Sequence, residues 1–248
     1  MNSRGWALVT GASRRIGAAL AVAAGEAGFD VIVHYHRSEE AAAAVAGRIE
    51  ALGRQALARN ADLADPGACA RLIETAPSPL TLLVNSASVF DEDDVTRLDT
   101  AVYETTMAVN LRAPVLLAAA MARALPEGVS GQIINILDQR VWRLTPRYFS
   151  YTLSKAALWT ATQTLAQALA PAIRVNAIGP GPTLASVHQS AEAFAAQAAA
   201  APLGRGPSPD EIAAALRYLI DAASVTGQMI AVDGGQHLAW RTPDVIDD

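Results

Sequence analysis

The chain has 248 residues, of which 52% are hydrophobic, 17% charged and 5% aromatic. That length and apolar content fit one large α/β domain or two small ones, and exclude a disordered, collagenous or coiled-coil chain. The formal net charge of -5 argues against a dedicated nucleic-acid binder, and the single cysteine, Cys69, excludes an internal disulfide or a multi-cysteine metal site.

Strand-like and helix-like segments then alternate along the chain. Trp6 to Val9 is a short apolar run closed by a turn at Thr10-Gly11. It is too short for the apolar core of a signal peptide, and Glu, Arg, Gln or Pro breaks every Ala-rich stretch before 18 residues. The expectation is a soluble, cytoplasmic protein with no membrane span. Ile16 to Ala27 reads as a helix ended by Gly28, and Val31 to Tyr35 as the second strand. Ser38 is placed to cap the Ala-rich helix that follows. Gln55 to Arg59 is a weaker strand, and Asp65-Pro66 starts the next helix. Leu80 to Val84 predicts strand four, Ala101 to Leu125 a long helix, and Gln132 to Leu137 strand five. Tyr148 to Ala170 predicts a helix stopped by Pro171, Ile173 to Ala177 strand six, and Gln228 to Val232 strand seven.

Alternation of this kind predicts a single-domain, Rossmann-type, doubly wound fold with a seven-stranded parallel sheet. The strands are continuous apolar runs, as strands covered on both faces should be. The exception is Gly179 to Pro209, rich in Gly, Pro, Ala and Ser with a weak helix at Ala191 to Ala200. An irregular stretch of that length inside a compact domain predicts a lid, here near 182–205, over a small-molecule site.

The turn after strand one, Thr10-Gly11-Ala12-Ser13-Arg14-Arg15-Ile16-Gly17, leads into a helix. Glycines there let the backbone approach a pyrophosphate, and the helix N-terminus adds N–H donors. The spacing departs from the strict dinucleotide fingerprint, but its place after the first strand supports a nucleotide site. An NAD site wants an acid at the end of strand two to hold the ribose hydroxyl. This chain has His34-Tyr35-His36-Arg37-Ser38 instead. Arg37 and Ser38 suit a 2′-phosphate, with Arg14 able to close over it, so NADPH is the expected cofactor.

Tyr151 and Lys155 lie four apart at the start of a predicted helix and share a face. A lysine beside a phenol favours the phenolate, so the pair is expected to lower the Tyr151 pKa and make it a proton donor to a substrate receiving hydride. The order of these motifs resembles the short-chain dehydrogenase/reductase family from Thr10 to Gly235. Asp62-Leu63, Asn85-Ser86-Ala87, Asn110, Gly179-Pro180-Gly181 and Val232-Asp233-Gly234-Gly235 also carry the resemblance. It implies that Asp62 and Leu63 border the adenine. Lys155 would hold the nicotinamide ribose, and Asn110 would support a proton-relay water. Gly11, Ser13, Arg14, Arg15, Ile16, Gly17, His36, Arg37, Ser38, Asn85, Ala87, Ser88, Tyr151, Pro180 and Gly181 would line the cofactor with Asp62, Leu63 and Lys155. It also implies a homotetramer. Ser86 stands where the family usually has a second Asn.

Two further departures narrow the resemblance. Arg15 replaces the middle glycine of the turn, and Asp138 replaces the serine thirteen residues before the tyrosine. A carboxylate there would repel the negative charge developing on a ketone oxygen unless it stays protonated or meets a cationic or N–H-rich substrate. Both departures resemble the pteridine reductases and dihydromonapterin reductases, as does Ser88-Val89-Phe90. That branch implies Phe90 stacked on a pterin, Arg15 reaching the pyrophosphate and the pterin edge, and Ser88, Asp138 and Tyr151 at the substrate. The implied reaction is NADPH-dependent reduction of dihydromonapterin, dihydrobiopterin or dihydrofolate. The alternative is a carbonyl reductase acting on a ketone or 3-oxoacyl thioester. His188 and His237 are single histidines, no His/Asp/Glu group has metal spacing, and the acidic run Asp91 to Asp94 reads as a solvated loop.

Overall fold

A computed structural model describes residues 3–185 and 189–240. His188 and the tail beyond Trp240 lie outside the described residues. Seven strands form one parallel sheet: β1 (Trp6–Val9), β2 (Asp30–Tyr35), β3 (Ala56–Asn60), β4 (Leu80–Asn85), β5 (Gly131–Ile136), β6 (Ile173–Pro180) and β7 (Met229–Val232). Their spatial order is β3-β2-β1-β4-β5-β6-β7, and every pairing is parallel. The order reverses between β1 and β4, which opens a crevice at the carboxyl ends of the strands.

Helices cover both faces because β1, β2 and β4 bury nearly every side chain, up and down alike. On one face α1 (Arg15–Glu26), α2 (Glu39–Glu50) and α8 (Pro209–Asp221) pack Leu20, Ile49, Leu216 and Leu219 against Val9, Val33 and Val84. On the other, α3 (Pro66–Glu74), α5 (Ala113–Ala124) and α6 (Phe149–Leu169) pack Leu72, Leu117, Met121 and Ala166 against Leu8, Leu83 and Ile133. A fully buried Leu or Ile contributes about 2–3 kcal/mol by removal from water, so these two layers carry most of the driving force for folding.

The long helix expected over 101–125 divides into α4 (Thr100–Met107), a π-helical turn (Ala108–Arg112) and α5. The run Thr100–Ala124 is apolar enough to cross a membrane by length and composition, but half of its most apolar window is buried inside the fold. It is a core helix here. The predicted helix at α3 forms as expected, with Asp65 accepting from the Gly67 N–H and Pro66 in the first turn. Ser38 stands at the N-cap position of α2 but its side chain makes no capping bond. The irregular stretch contains α7 (Ala191–Ala199), which buries none of its residues.

Helix α8 has no counterpart among the predicted elements. Its signal is nonetheless in the sequence: Ser208-Pro209-Asp210-Glu211 is a capping box, with Ser208 accepting from the Glu211 N–H and Glu211 accepting from the Ser208 N–H. Arg205 pairs with Glu211 at 2.7 Å, and this hydrogen bond is the leading cause that holds the carboxyl down to about 2.

Candidate active site

The crevice at the sheet's switch point is a cavity of about 1090 Å³. One end is built from the first turn. Gly11 has φ +63°, a backbone conformation open to glycine, and a Cβ there would stand 2.8 Å from the Ala87 Cα. The turn is fixed from below by His34, whose Nδ1 accepts from the Gly11 N–H at 3.0 Å while Nε2 faces the Ala61 carbonyl at 3.1 Å. Nδ1 can accept only when unprotonated, so Nε2 carries the proton. Thr10 Oγ1 accepts from the Ser86 and Ala87 N–H groups, which joins the turn to the end of β4.

Burial lowers the His34 pKa to about 4. The unfolded chain, titrating near the ordinary value of 6.5, therefore binds more protons than the fold between these pH values. The stability tied to neutral His34 is complete above pH 6.5 and is lost as the pH falls towards 4. The predicted loss across the window is about 3 kcal/mol. It is measured as the excess acid slope of thermal stability over that of His34→Gln; parallel slopes would remove His34 as the cause.

Of the residues expected at the cofactor, Gly11, Ser13, Arg14, Arg15, Ile16, Gly17, His36, Arg37, Ser38, Asp62, Leu63, Ala87, Ser88, Pro180 and Gly181 all line this cavity. Arg14 and Arg37 are exposed and make no ion pair among the described residues. No acid stands at the end of β2. The close glycine turn, two uncommitted arginines and that missing acid together fit a dinucleotide carrying a 2′-phosphate. Arg15 is placed differently from its expectation. Its backbone is left-handed at φ +54°, and its guanidinium donates to the Leu184 and Ala185 carbonyls at 2.9 Å each. It therefore ties the first turn to the segment above the cavity.

Asn85 and Asn110 lie outside the cavity lining. Asn85 is buried and donates to Asn135 Oδ1 at 2.8 Å. Asn110 sits in the π-helical turn, a device often found at functional sites. Its Nδ2 donates to Val89 O and Ser154 Oγ, and its Oδ1 accepts from the Val89 N–H and the Ser88 hydroxyl. The side chain therefore clamps the Ser88–Val89 segment to α6.

The other end of the cavity carries the Tyr–Lys pair on the first turns of α6. The Tyr151 hydroxyl donates to Asp138 Oδ2 at 3.0 Å. Lys155 Nζ donates to the Ile136 carbonyl at 2.8 Å and lies 5.5 Å from the Tyr151 ring centroid. The expectation that this lysine lowers the tyrosine is reversed. Burial first, and then the Asp138 carboxylate, push the Tyr151 phenol well above its ordinary value. Burial likewise lowers Lys155 to about 8, with Asp138 opposing. Tyr151 thus stays protonated at neutral pH, which is the form a proton donor needs.

Phe90 is half-buried in the same wall. Its ring stacks on Tyr148, with centroids 4.3 Å apart and planes at 9°, and meets Tyr151 edge-on at 4.6 Å. Tyr148 holds a left-handed backbone at φ +54° to take that position. The acidic run is more than a solvated loop. Glu92 pairs with Arg147, Asp93 is buried and accepts from the Ser150 N–H at 3.1 Å, and Asp94 caps the turn Val95–Arg97. Asp93 supplies the acceptor that the first turn of α6 lacks at Tyr148. Arg140, absent from the sequence expectations, stands 3.7 Å from Asp138.

A glycine turn at the switch point of a parallel sheet, facing a protonated phenol held by a carboxylate, defines a nucleotide-dependent oxidoreductase site. A family model described as enoyl-(acyl carrier protein) reductase matches residues 11–237. A 3-oxoacyl-[acyl-carrier-protein] reductase from Synechocystis sp. is 34% identical over 236 residues, covering 92% of this chain and 95% of its own. The chain belongs to the short-chain dehydrogenase/reductase family and is an oxidoreductase. Among solved structures, FolM alternative dihydrofolate reductase 1 from Brucella suis, in complex with NADP, is 50% identical with a TM-score of 0.94. That match covers 99% of this chain and 100% of that one. A short chain dehydrogenase from Burkholderia cenocepacia, also with NADP, is 35% identical with a TM-score of 0.88, covering 94% and 98%.

Proposed function

We propose that this oxidoreductase uses NADPH to reduce a dihydropterin, of the dihydromonapterin, dihydrobiopterin or dihydrofolate type, to its tetrahydro form. The observation that carries the reading is the Tyr151 hydroxyl bonded to Asp138 at 3.0 Å, where a carbonyl reductase of this family would present a serine. The 50% identity to a Brucella alternative dihydrofolate reductase supports it. A dihydropterin presents a C=N bond and a donor-rich edge that a carboxylate accepts from, whereas the same carboxylate would repel the charge developing on a ketone oxygen.

When bound, NADPH supplies the hydride. Gly11 to Gly17 would receive its pyrophosphate, Arg14, Arg37 and Ser38 its 2′-phosphate, and Lys155 its nicotinamide ribose. Tyr151 turns its proton from Asp138 to the substrate nitrogen, while Asp138 keeps the phenol aimed between transfers. Phe90 offers an aromatic wall to the flat ring, and Ser88 a hydroxyl at its edge. Pro182, Thr183, Leu184, Ala193 and Phe194 line the cavity from the lid side, and the lid near 182–205 sets which side chain on the ring is accepted. The homotetramer rests on the family resemblance, and exposed Leu144, Leu153, Leu238 and Trp240 are apolar surface available to such contacts.

The test is NADPH oxidation with 7,8-dihydromonapterin, 7,8-dihydrobiopterin, dihydrofolate and a 3-oxoacyl thioester side by side. Turnover of a dihydropterin without the thioester supports the reading; turnover of the thioester alone replaces it with the second one. That second reading, a carbonyl reductase, is favoured by the likeness to the Synechocystis 3-oxoacyl-[acyl-carrier-protein] reductase. Cofactor choice has its own test. Arg37→Asp should lower the preference for NADPH over NADH, measured as the ratio of kcat/KM values, by about 100-fold. An unchanged ratio would remove Arg37 from the 2′-phosphate.

A further inference from the structure

Arg140 lies two residues beyond Asp138, in the turn Gln139–Val141 that leaves β5. Its backbone N–H donates to Asp138 Oδ1 at 2.8 Å, and its guanidinium stands 3.7 Å from Oδ2. The same Oδ2 accepts the Tyr151 hydroxyl. One carboxylate oxygen therefore faces a phenol and a cation together. The side chains of this ion pair are only 17% and 19% exposed, so solvent screens it far less than a surface pair. The guanidinium carbon is also 5.2 Å from the Phe90 ring centroid, 5.1 Å from Tyr148 and 5.9 Å from Tyr151. Three rings and a carboxylate hold the cation in place. Ion pairs this buried add little net stability over an apolar filling of the same shape, so the charge calls for another reason.

We propose that Arg140 is a positioning residue for proton transfer: its backbone N–H and guanidinium keep the Asp138 carboxylate turned to the Tyr151 hydroxyl. The groups around Asp138 leave that task to Arg140. From α6 come Tyr151 and Lys155, but Lys155 Nζ is committed to the Ile136 carbonyl. From the segment before α6 come Tyr148 and Arg147, and Arg147 is paired with Glu92. Asp93 is turned to Ser150, and His237, beyond Trp142, is paired with Asp233 at 2.7 Å. Without the guanidinium the carboxylate is free to turn from the phenol, which then loses the acceptor that aims it.

The inference rests on the pterin-reducing reading only for its substrate. Arg140→Met keeps an apolar stem against the rings, and Arg140→Lys keeps the charge. With 7,8-dihydromonapterin, Arg140→Met should lower kcat about tenfold while KM changes by less than about twofold. The Kd for NADPH should change by less than about twofold, because the cation lies at the substrate end. Arg140→Lys should return most of kcat. Wild-type kcat in Arg140→Met, or a loss that falls on KM alone, would overturn the proposal. If the wild type reduces no dihydropterin, the functional reading falls, and the inference is read without substrate. A crystal structure of Arg140→Met should then show the Asp138 carboxylate turned away from the Tyr151 hydroxyl. A retained bond between them would overturn it.

Discussion

Replacing Tyr151 by phenylalanine is expected to lower kcat by about 10²–10⁴-fold, the usual contribution of a positioned general acid. The substitution removes one oxygen and keeps the ring. The edge-on contact with Phe90 at 4.6 Å survives, and so does the packing of α6 on the sheet. Asp138 loses the phenol but keeps the Arg140 N–H and guanidinium, so no isolated charge is left behind. NADPH affinity should therefore stay within about twofold, and thermal stability should change by about 1 kcal/mol or less. The loss should fall on kcat and kcat/KM alike, because the proton moves only in the transition state. Measuring kcat, KM and NADPH affinity on the same preparation separates this from a general loss of structure. A variant with wild-type kcat would mean that another group donates the proton, and Asp138 would become the first candidate.

The parallel fold was legible because its strands are unbroken apolar runs and its turns carry Gly, Pro, Asp and Ser at the ends of elements. The cofactor end of the cavity was legible for the same reason: Gly11, Gly17, Arg14, Arg37 and Asp62 belong to short local segments whose geometry follows from the backbone. The substrate end was only partly legible. Tyr151, Lys155 and Asp138 stand out by spacing, but Arg140 does not, because its meaning depends on three rings from two distant segments. The sign of the Tyr151 shift was misjudged because burial and Asp138 outweigh a lysine whose Nζ bonds a backbone carbonyl. Asp93 looked like one member of a solvated run, and only the tertiary fold brings it beneath the start of α6. Helix α8 was missed although Ser208 and Glu211 have capping-box spacing; the Gly- and Pro-rich stretch before it masked the signal. Asn110 was legible only through the family resemblance, since its clamp reaches Ser88, Val89 and Ser154.

Gly17→Ala should be strongly damaging although the position is helical. Gly17 lies in the first turn of α1 with an ordinary helical backbone, where alanine by propensity alone would stabilise by about 1 kcal/mol. The surroundings reverse the sign. A Cβ at this position would lie 2.2 Å from the Gly11 carbonyl oxygen and 2.9 Å from its carbon. Both are backbone atoms and cannot rotate aside. The turn must move by about 1 Å, and overpacking of this kind costs about 1–3 kcal/mol or more. The moved turn also carries the Gly11 N–H away from His34 Nδ1, which loosens the bond that fixes it. A displacement of that size at a binding turn should weaken NADPH by about 100-fold. Gly47 provides the control: it lies in α2 with nothing within 4 Å of its built Cβ, so Gly47→Ala should stabilise by about 0.5–1 kcal/mol and leave NADPH binding unchanged. Thermal unfolding and NADPH titration of the two variants decide the matter. Wild-type affinity in Gly17→Ala would mean that the first turn yields without strain and that the close approach of Gly11 to Gly17 does not shape the cofactor site.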